Sequence, residues 1–430
     1  MRRYSDEDFS RFFMPGHQGG CEWLDESFFS RLDLTEIEGA DNLFFPTGII
    51  KSLEERVSDL FSCDCYISTN GSTSLVKTIL WLFKERDFIV QRGSHFSVFN
   101  AAAIFSIEPI IIGDYETVSL FEIEEAILKA KRGCVLFLTS PNYYGEILDI
   151  CKIKDICKKY DAILAVDCAH GAHLSFLREN KNPISLGADI CCCSMHKTLP
   201  TLTGAAVLQI KKGLFEREEI KKTMALFLSS SPSYLIMDSI GLCVDWLFGC
   251  FSKPFLELEE RKENLVGKLN LKFLKTEPCK LVLDCLYVKG GVFKALFVLK
   301  QFKIAVEFYN FRYICFILSP FLKEKDWNRL EDALKELEFV EVNEIIKTKF
   351  NFKRVCSLKK AIEKKKEKVL LKDSLSRIFA DMLFYEIPGV LVLTYGEVIT
   401  EEVILYLEKK RVREVLVLKK GEVVDEIFGE

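Results

Sequence analysis

The chain has 430 residues, 49% of them hydrophobic and 28% charged, which is the composition of a globular protein with a large core and excludes a disordered polymer. The 59 lysines and arginines against 63 aspartates and glutamates leave a net charge of −4, so no overall positive charge attracts nucleic acid or an anionic membrane. The N-terminus lacks the apolar region of a signal peptide, and the apolar runs are of strand length, so we expect a cytoplasmic protein.

The 16 cysteines are expected to be reduced thiols. None of them is paired at the Cys-x-x-Cys spacing that zinc ribbons and thioredoxin-like sites use. Cys191, Cys192 and Cys193 lie in a strand pattern, where cysteine behaves as a small buried apolar residue. This pattern predicts a reducing compartment and a packing role for these three side chains.

Residues 1–45 are predicted to form an irregular N-terminal arm that contains MPGHQGG at residues 14–20. Residues 46–268 then alternate between helical and strand patterns, which predicts a large α/β domain with a mainly parallel sheet wrapped by helices. The predicted strands are the short apolar runs 63–69, 87–91, 108–113, 133–140, 162–167 and 189–194. The predicted helices cover 52–61, the segment that begins at residue 70, and most of 214–268.

The pattern changes after residue 268. Residues 269–345 mix shorter strands and helices, including a strand over 303–309, and are predicted to form a small α+β domain. Residues 346–430 are predicted to form a C-terminal α/β domain that begins with a lysine-rich helix over 358–371, whose charges face solvent.

The turn after the first predicted strand has the pattern of a phosphate site. Ser72 and Thr73 stand at the start of a helix, where hydroxyls and free N–H groups bind anions. The same residues would also serve as plain helix N-caps. His95 follows the second strand and could stack on a flat heteroaromatic ring, although a histidine that satisfies a buried loop gives the same pattern.

The most informative pair is Asp167 and Lys197, each just after an apolar strand and separated by one crossover. An acid and a lysine at the C-terminal ends of adjacent strands are what a pyridoxal 5'-phosphate (PLP) enzyme needs. The lysine holds the aldehyde as a Schiff base, and the acid keeps the pyridine nitrogen protonated. Ser194 could reach the phosphate and His196 could support the Schiff base, because both flank the lysine.

A further loop at the same predicted edge follows the strand 133–140. Asn142 or Tyr143 of this loop could donate a hydrogen bond to the phenolic oxygen of the cofactor or shape the substrate side. His170 and His173 follow Asp167 at a spacing that would also suit a metal ion. No third ligand with suitable spacing stands nearby in the sequence, so no metal site is predicted.

These motifs, in this order, resemble the PLP-dependent ornithine/lysine/arginine decarboxylase family, in its compact type without the N-terminal wing domain. The resembling segments span nearly the whole chain: MPGHQGG, LDLTEIEGADNLFFPTG, NGST, RGSHFSV, TSPNYYG, VDCAHGAH, SMHKTLPTLT, SSSPSYLIMDS, IAVEF and YEIPGVLVLTYGEVIT. The resemblance implies fold type I of the PLP enzymes: a large domain with a mainly parallel seven-stranded sheet, followed by smaller α+β domains. It also implies a homodimer with shared active sites, in which residues 229–239 reach the partner's site.

Carried over residue by residue, the resemblance implies three catalytic residues: Lys197 as the Schiff-base lysine, Asp167 as the partner of the pyridine nitrogen and His95 as the ring-stacking group. It implies that His170 lies near the ring. The phosphate would be held by Ser72, Thr73, Ser194 and His196.

The chain departs from the family pattern at several positions. The departures are Gly93 and Phe96 for Asn and Lys, Gly204 for Gln, Gly241 for an acid, and a C-terminal motif that ends in YGE. None of them changes Lys197 or Asp167. They bear on substrate choice and on full activity.

The implied reaction is α-decarboxylation of arginine, lysine or ornithine to the amine and CO2, which would feed polyamine synthesis. Glu307 is a candidate partner for the distal charge of the substrate. An aminotransferase-like PLP enzyme is one alternative and would need an arginine, such as Arg312, to clamp the α-carboxylate. A non-catalytic paralogue that regulates a decarboxylase is another; the altered C-terminal motifs favour it, and the intact pair of Asp167 and Lys197 disfavours it.

Overall fold

The computed structural model describes residues 33–114, 117–130, 133–342, 352–384, 391–409 and 411–421. Most of the predicted N-terminal arm, including MPGHQGG and His17, and the beginning of the C-terminal motif at 385–390 lie outside these residues. The described residues form two compact units. The first unit comprises the described residues within 33–82, 140–154 and 164–340, and the second those within 83–139, 155–163 and 341–421. The domain boundaries read from the sequence stay a prediction.

The secondary structure of the described residues alternates strands and helices over the first half of the chain. The strands are β1 (Asp64–Ser68), β2 (Phe88–Gln91), β3 (Ile110–Ile112), β4 (Val135–Thr139), β5 (Ile163–Asp167), β6 (Ile190–Ser194), β7 (Ala206–Ile210), β8 (Lys280–Asp284), β9 (Phe308–Tyr309), β10 (Tyr313–Ile317), β11 (Lys366–Leu370), β12 (Leu383–Phe384), β13 (Leu391–Leu393) and β14 (Glu414–Leu418). The α-helices are α1 (Ile49–Phe61), α2 (Gly71–Leu82), α3 (Phe96–Ile104), α4 (Leu120–Lys129), α5 (Ile150–Lys159), α6 (Met195–Thr198), α7 (Arg217–Ala225), α8 (Tyr234–Cys250), α9 (Lys253–Gly267), α10 (Gly291–Gln301), α11 (Glu324–Lys335), α12 (Leu358–Glu363) and α13 (Glu401–Lys409).

A seven-stranded sheet has the order β1-β7-β6-β5-β4-β2-β3. Strand β2 pairs in parallel with β3 and β4, and β5 pairs in parallel with β6. Strand β7 runs antiparallel to both β1 and β6. The predicted fold class, an α/β protein with a mainly parallel seven-stranded sheet, is therefore confirmed.

The composition of the central strands explains their position. Strands β4 and β6 read VLFLT and ICCCS and are buried at every residue, as expected for strands of a parallel sheet that is covered on both faces. The three consecutive cysteines of β6 are fully buried thiols, which agrees with the packing role predicted for them. In the register of β5 and β6, Asp167 lies opposite Cys192, so the residues that follow both strands meet at one edge.

Helix α1 shows how the helices cover the sheet. Its buried apolar residues, Ile50, Leu53, Val57 and Leu60, recur at intervals of three and four, which places them on one face. The helix ends at Phe61, and the C-cap residue Ser62 adopts the left-handed conformation. The helix predicted over 52–61 is thus confirmed and begins three residues earlier.

In the first unit, a smaller sheet of order β8-β10-β9 follows the helical segment. Strand β10 is antiparallel to both of its neighbours. The strand predicted over 303–309 is wrong for most of its length, because only Phe308 and Tyr309 pair, opposite Cys315 and Ile314. This edge segment makes only a short ladder.

In the second unit, the lysine-rich segment 358–371 is only partly the helix that its composition predicts. Helix α12 ends at Glu363, and Lys366–Leu370 pairs as a strand with β14. In this ladder Val369 lies opposite Val415. Cross-strand pairing outweighs the high helix propensity of lysine and glutamate here.

The C-terminal YGE motif contributes a buried ion pair to the second unit. Glu397 accepts hydrogen bonds from both terminal nitrogens of Arg92, at 2.7 and 3.2 Å, and from the Thr394 N–H at 2.8 Å. The side chains of Arg92 and Glu397 are 5% and 1% exposed. The glutamate that survives in this altered motif therefore stabilises the fold of the second unit.

No single helix among the described residues is both long and apolar enough to cross a membrane. By length and composition alone, only α8 and α9 taken together meet that criterion, and they are bent by 78° at the break between them.

Candidate active site

Lys197 lies in the short helix α6, directly after β6. Its Nζ atom lies 3.1 Å from Nε2 of His170. Burial lowers the pKa of Lys197, and the nearby carboxylates of Asp167 and Glu307 oppose that shift. A lysine with a lowered pKa has more of its amine in the neutral, nucleophilic form.

Asp167 ends β5 and is 3% exposed. Its Oδ1 atom accepts a hydrogen bond from the Ala169 N–H at 3.0 Å. The thiol of Cys192, on the neighbouring strand, lies 3.7 Å from the same oxygen. The carboxylate is thus held in a fixed orientation by its own turn and by β6. The sequence predicted Asp167 but not its contact with Cys192.

The loop after β4 brings Tyr143 to the same region. The ring centroid of Tyr143 lies 5.0 Å from that of His170 in an edge-to-face arrangement. Burial raises the pKa of Tyr143, and the charges of Glu307 and Asp167 raise it further. One coupled group within the first unit therefore joins five side chains by contact or by charge: Tyr143, His170, Lys197, Asp167 and Glu307.

Asn142 uses its side chain within the loop. Its Oδ1 atom accepts from the N–H groups of Tyr144 and Glu146 at 2.9 and 3.0 Å, and its amide donates to the Glu146 carboxylate at 2.8 Å. These bonds shape the turn that presents Tyr143. Contact between Asn142 and the cofactor stays a prediction, and Tyr143 is the residue of this loop that contacts His170.

Two of the four predicted phosphate residues, Ser72 and Ser194, meet at the start of α2. The hydroxyl of Ser194 donates to the hydroxyl of Ser72 at 2.9 Å. Thr73 is exposed in the same first turn. Nδ1 of His196 lies 3.0 Å from the carbonyl oxygen of Ala205. Two hydroxyls beside the N-terminus of a 12-residue helix are donors of the kind that bind a phosphate.

Gly204 is linked to this cradle by its backbone. Its carbonyl accepts from the Gly71 N–H at 2.8 Å, and its φ of +101° is one that side-chain-bearing residues rarely adopt. A Cβ atom there would lie 2.8 Å from the carbonyl oxygen of Thr69. The glycine that replaces the family's glutamine is therefore required by the backbone of this chain. At Gly241 a Cβ would meet Leu53 at an ordinary 3.8 Å, so nothing in the backbone explains that departure.

His95 belongs to the second unit, where it is the N-cap of α3. Its Nδ1 accepts from the Ser97 N–H at 3.3 Å, and its ring lies 4.1 Å from the ring of Phe96. The capping role gives this histidine a local structural function. Its predicted role as a ring-stacking, catalytic residue stays a prediction.

The two histidines that follow Asp167 point to different partners. His170 faces Lys197, whereas Nε2 of His173 lies 2.7 Å from Oε2 of Glu277, with both side chains fully buried. Burial alone would raise the pKa of Glu277, but the charges of His173, Lys280 and Lys262 lower it. Glu277 stands about a hundred residues further along the chain, and sequence spacing carried no signal for this pair.

Arg312, the candidate carboxylate clamp of the aminotransferase alternative, is bound to Asp284. Its Nε lies 3.0 and 3.1 Å from the two carboxylate oxygens, and its Nη2 lies 2.7 Å from Oδ2. This forked geometry already engages Nε and Nη2 of Arg312 with a carboxylate of the protein itself.

The donor set of the first unit fits PLP. It supplies a lysine amine of lowered pKa, a fixed buried carboxylate on the neighbouring strand, and hydroxyls at a helix N-terminus. These groups match the aldehyde, the pyridine nitrogen and the phosphate of that cofactor. Fold and site together define the class of fold-type-I PLP enzymes.

Comparison with known proteins gives the family. The family model described as Orn/Lys/Arg decarboxylase, major domain, matches residues 1–253. The arginine decarboxylase of Bacillus subtilis is 24% identical over 456 residues, covering 95% of this chain and 92% of that protein. The arginine decarboxylase of Halalkalibacterium halodurans is 25% identical and covers 93% of this chain and 90% of that protein.

A solved structure shares the fold. The lysine decarboxylase LdcF of Francisella novicida superposes with a TM-score of 0.79 at 18% identity, covering 97% of this chain and 80% of that one. The chain belongs to the Orn/Lys/Arg decarboxylase family and is a PLP-dependent amino-acid decarboxylase.

Proposed function

We propose that this chain decarboxylates arginine at the α-carbon, giving agmatine and CO2 for polyamine synthesis, with Lys197 and Asp167 as the residues that act on the cofactor. The observation that carries the proposal is the coupled group at one sheet edge, in which Nζ of Lys197 lies 3.1 Å from His170 next to the buried carboxylate of Asp167. Arginine is favoured over lysine because the relatives that cover most of this chain at 22–25% identity are named arginine decarboxylases.

PLP supplies an electron sink for the electron pair that remains when CO2 leaves. The amine of Lys197 would hold its aldehyde carbon, Asp167 its pyridine nitrogen, and Ser72, Ser194 and the start of α2 its phosphate. These assignments rest on the donor types and on their shared edge of the sheet.

The chain's own residues would then manage protons and water. His170 can exchange a proton with Lys197 across the 3.1 Å between Nε2 and Nζ, so Lys197 can return a proton to the substrate α-carbon. Tyr143 packs its ring edge-to-face against His170 and would limit the access of water to that pair from the loop side. The fixed Asp167 carboxylate favours a protonated pyridine nitrogen through a charge-assisted hydrogen bond.

Glu307 is the residue proposed to receive the distal charge of the substrate. Its side chain is exposed, and its charge acts on the pKa values of both Lys197 and Tyr143, so it lies within electrostatic range of the site. A carboxylate binds a guanidinium through two parallel hydrogen bonds, a geometry that an ammonium cannot match.

Substrate choice is tested by measuring kcat/KM with arginine, lysine and ornithine for the wild type and for Glu307→Gln. We expect arginine to be preferred and Glu307→Gln to lower kcat/KM for arginine about tenfold or more, mainly through KM. Glu338→Gln, at an exposed surface pair, is the control and leaves all three values unchanged. A preference for lysine or ornithine would contradict the proposed substrate.

The homodimer expected from the sequence is also part of the proposed function. Exposed apolar side chains on α8, Leu242 and Phe248, are 47% and 53% exposed in the single chain. Within the segment predicted to reach a partner, Ser229 and Ser231 are exposed, whereas Tyr234 is buried and donates to the carbonyl of Asp41 at 2.9 Å. Sedimentation of the full chain at serial dilution tests for the dimer, and a monomer at micromolar concentration would contradict it.

A further inference from the structure

Lys280 is one of the largest fully buried side chains of the described residues and is 1% exposed. It is the first residue of β8, a strand buried at every position. Burying an ammonium group is strongly unfavourable unless hydrogen bonds replace its hydration. Burial lowers the pKa of Lys280, as this cost requires.

The ammonium of Lys280 is directed at the loop after β4. It donates to the carbonyl oxygen of Tyr143 and lies 3.4 Å from that of Asn142. It also lies 5.6 Å from the centroid of the Tyr143 ring, within range of a cation–π interaction. Lys280 therefore contacts both the backbone and the ring of the residue that packs on His170.

The loop is shaped around the stem of Lys280. Gly145 has a φ of +87°, and a Cβ atom there would lie 3.0 Å from both Cβ and Cδ of Lys280. Only a glycine lets the loop approach the stem this closely. The contact is thus built into both segments, which are more than a hundred residues apart in the chain.

A continuous set of contacts leads from Lys280 to the reacting amine. Lys280 holds the Tyr143 carbonyl, the Tyr143 ring lies 5.0 Å from the His170 ring, and His170 Nε2 lies 3.1 Å from Lys197 Nζ. All four residues belong to the first unit. A shift of the loop would move the edge of Tyr143 and release the imidazole that orients the lysine.

We propose that Lys280 is a positioning residue of this active site, which fixes the loop at Tyr143 so that His170 holds the amine of Lys197 in its reactive orientation. The proposal rests on the proposed function of Lys197. In this proposal Lys280 acts through its contacts with the loop at Tyr143.

Lys262 provides the matched control. Its ammonium is also hydrogen-bonded to backbone carbonyls, those of Thr276 and Glu277, at 2.9 and 2.8 Å. Burial lowers the pKa of Lys262, as it does for Lys280. The carbonyls that it binds belong to the turn before β8, which meets the active-site loop at Gly145, where the Glu277 N–H donates to the Gly145 carbonyl at 2.8 Å, and not at Tyr143. Lys262→Met removes the same kind of interaction without touching Tyr143.

The test uses the purified full chain, stripped of cofactor. PLP is added, and the rate constant is measured for formation of the visible absorbance band of the Schiff base between PLP and Lys197. The values of kcat and KM are measured with arginine. We expect Lys280→Met to slow band formation and to lower kcat about tenfold or more, with KM changed less than about threefold. Lys262→Met should change none of these.

A double-mutant cycle with Tyr143→Leu identifies the route of the effect. We expect Lys280→Met to cost less than about twofold once Tyr143 is replaced, because the ring that links the loop to His170 is then absent, although the carbonyl that Lys280 binds remains. The proposal would be overturned if the losses of kcat in Lys280→Met and Tyr143→Leu multiplied in the double variant. It would also be overturned if Lys280→Met had the same rate of band formation and the same kcat as Lys262→Met. If Lys280→Met does not fold, Lys280→Gln takes its place, since it retains a donor without the charge.

The two proposals fail in different ways. A wild-type protein that forms the band but releases no CO2 from any of the three amino acids would contradict the proposed substrate class. The rate of band formation in Lys280→Met, compared with that in the wild type and in Lys262→Met, would still decide the role of Lys280, because that step needs no amino-acid substrate.

Discussion

At Lys197 two opposing effects set the charge of the amine. Burial disfavours the ammonium and lowers the pKa of Lys197, whereas the carboxylates of Asp167 and Glu307 favour the ammonium. Burial is the larger effect. The amine is therefore neutral at a lower pH than that of a free lysine, which suits its reaction with an aldehyde.

Removing one of these carboxylates should shift that balance in a known direction. Glu307 raises the pKa of Lys197, so Glu307→Gln should lower it further. We expect the pH midpoint of band formation, measured with PLP and cofactor-free protein, to move to lower pH in Glu307→Gln. The exposed-site variant Glu338→Gln should keep the wild-type midpoint. A shift of the Glu307→Gln midpoint to higher pH would show that the carboxylate does not stabilise the ammonium.

At the scale of elements, the turn between β6 and β7 fixes the start of α2. The hydrogen bond from Gly71 N–H to Gly204 O joins the two, and Gly204 can have no side chain without meeting the Thr69 carbonyl. The position of the Ser72 and Ser194 hydroxyls therefore depends on this glycine.

Gly204→Ala tests this dependence. We expect it to destabilise the chain by about 1–3 kcal/mol and to weaken PLP binding, because relief of the contact displaces the first turn of α2. Gly213→Ala is the control: Gly213 also has a positive φ, of +77°, but a Cβ there meets nothing within 4 Å. Thermal unfolding and titration of the absorbance band measure both effects. Equal PLP affinity in the two variants would contradict the link between Gly204 and the cradle.

The local elements of the site were readable from the sequence. Strand runs that end in Asp167 and Ser194, and the helix that begins at Gly71, are set by apolar patterning and turn residues within short windows, and the structure has all three. The parallel pairing of β5 and β6 follows from the alternation of strands and helices along this part of the chain.

Long-range partners could not be predicted in this way. Lys280 binds the Tyr143 carbonyl, Asp284 binds Arg312, and Glu277 faces His173, each across a large sequence separation. No periodicity or spacing encodes such pairs, since they depend on which segments the complete fold brings together. The strand at Lys366–Leu370 was mistaken for helix for the same reason.

At the scale of the whole molecule, stability in the second unit depends on the buried pair of Arg92 and Glu397. Removing one partner of a buried ion pair leaves the other charge desolvated. We expect Glu397→Gln to lower the free energy of unfolding by about 3–5 kcal/mol, measured by urea denaturation. Glu338→Gln, in the exposed pair with Lys289, should leave the urea midpoint unchanged. A Glu397→Gln protein as stable as the wild type would mean that the pair is dispensable.

The central claim is that Lys197 makes this chain a PLP-dependent decarboxylase of a basic amino acid. The most direct measurement is CO2 release from carboxyl-labelled arginine, lysine and ornithine by the PLP-loaded wild type and by Lys197→Ala, with the exposed-lysine variant Lys212→Ala as the control. We predict CO2 from arginine with the wild type and with Lys212→Ala, and loss of both the visible band and turnover in Lys197→Ala. Undiminished CO2 release by Lys197→Ala, or none from the PLP-loaded wild type with any of the three amino acids, would contradict the account.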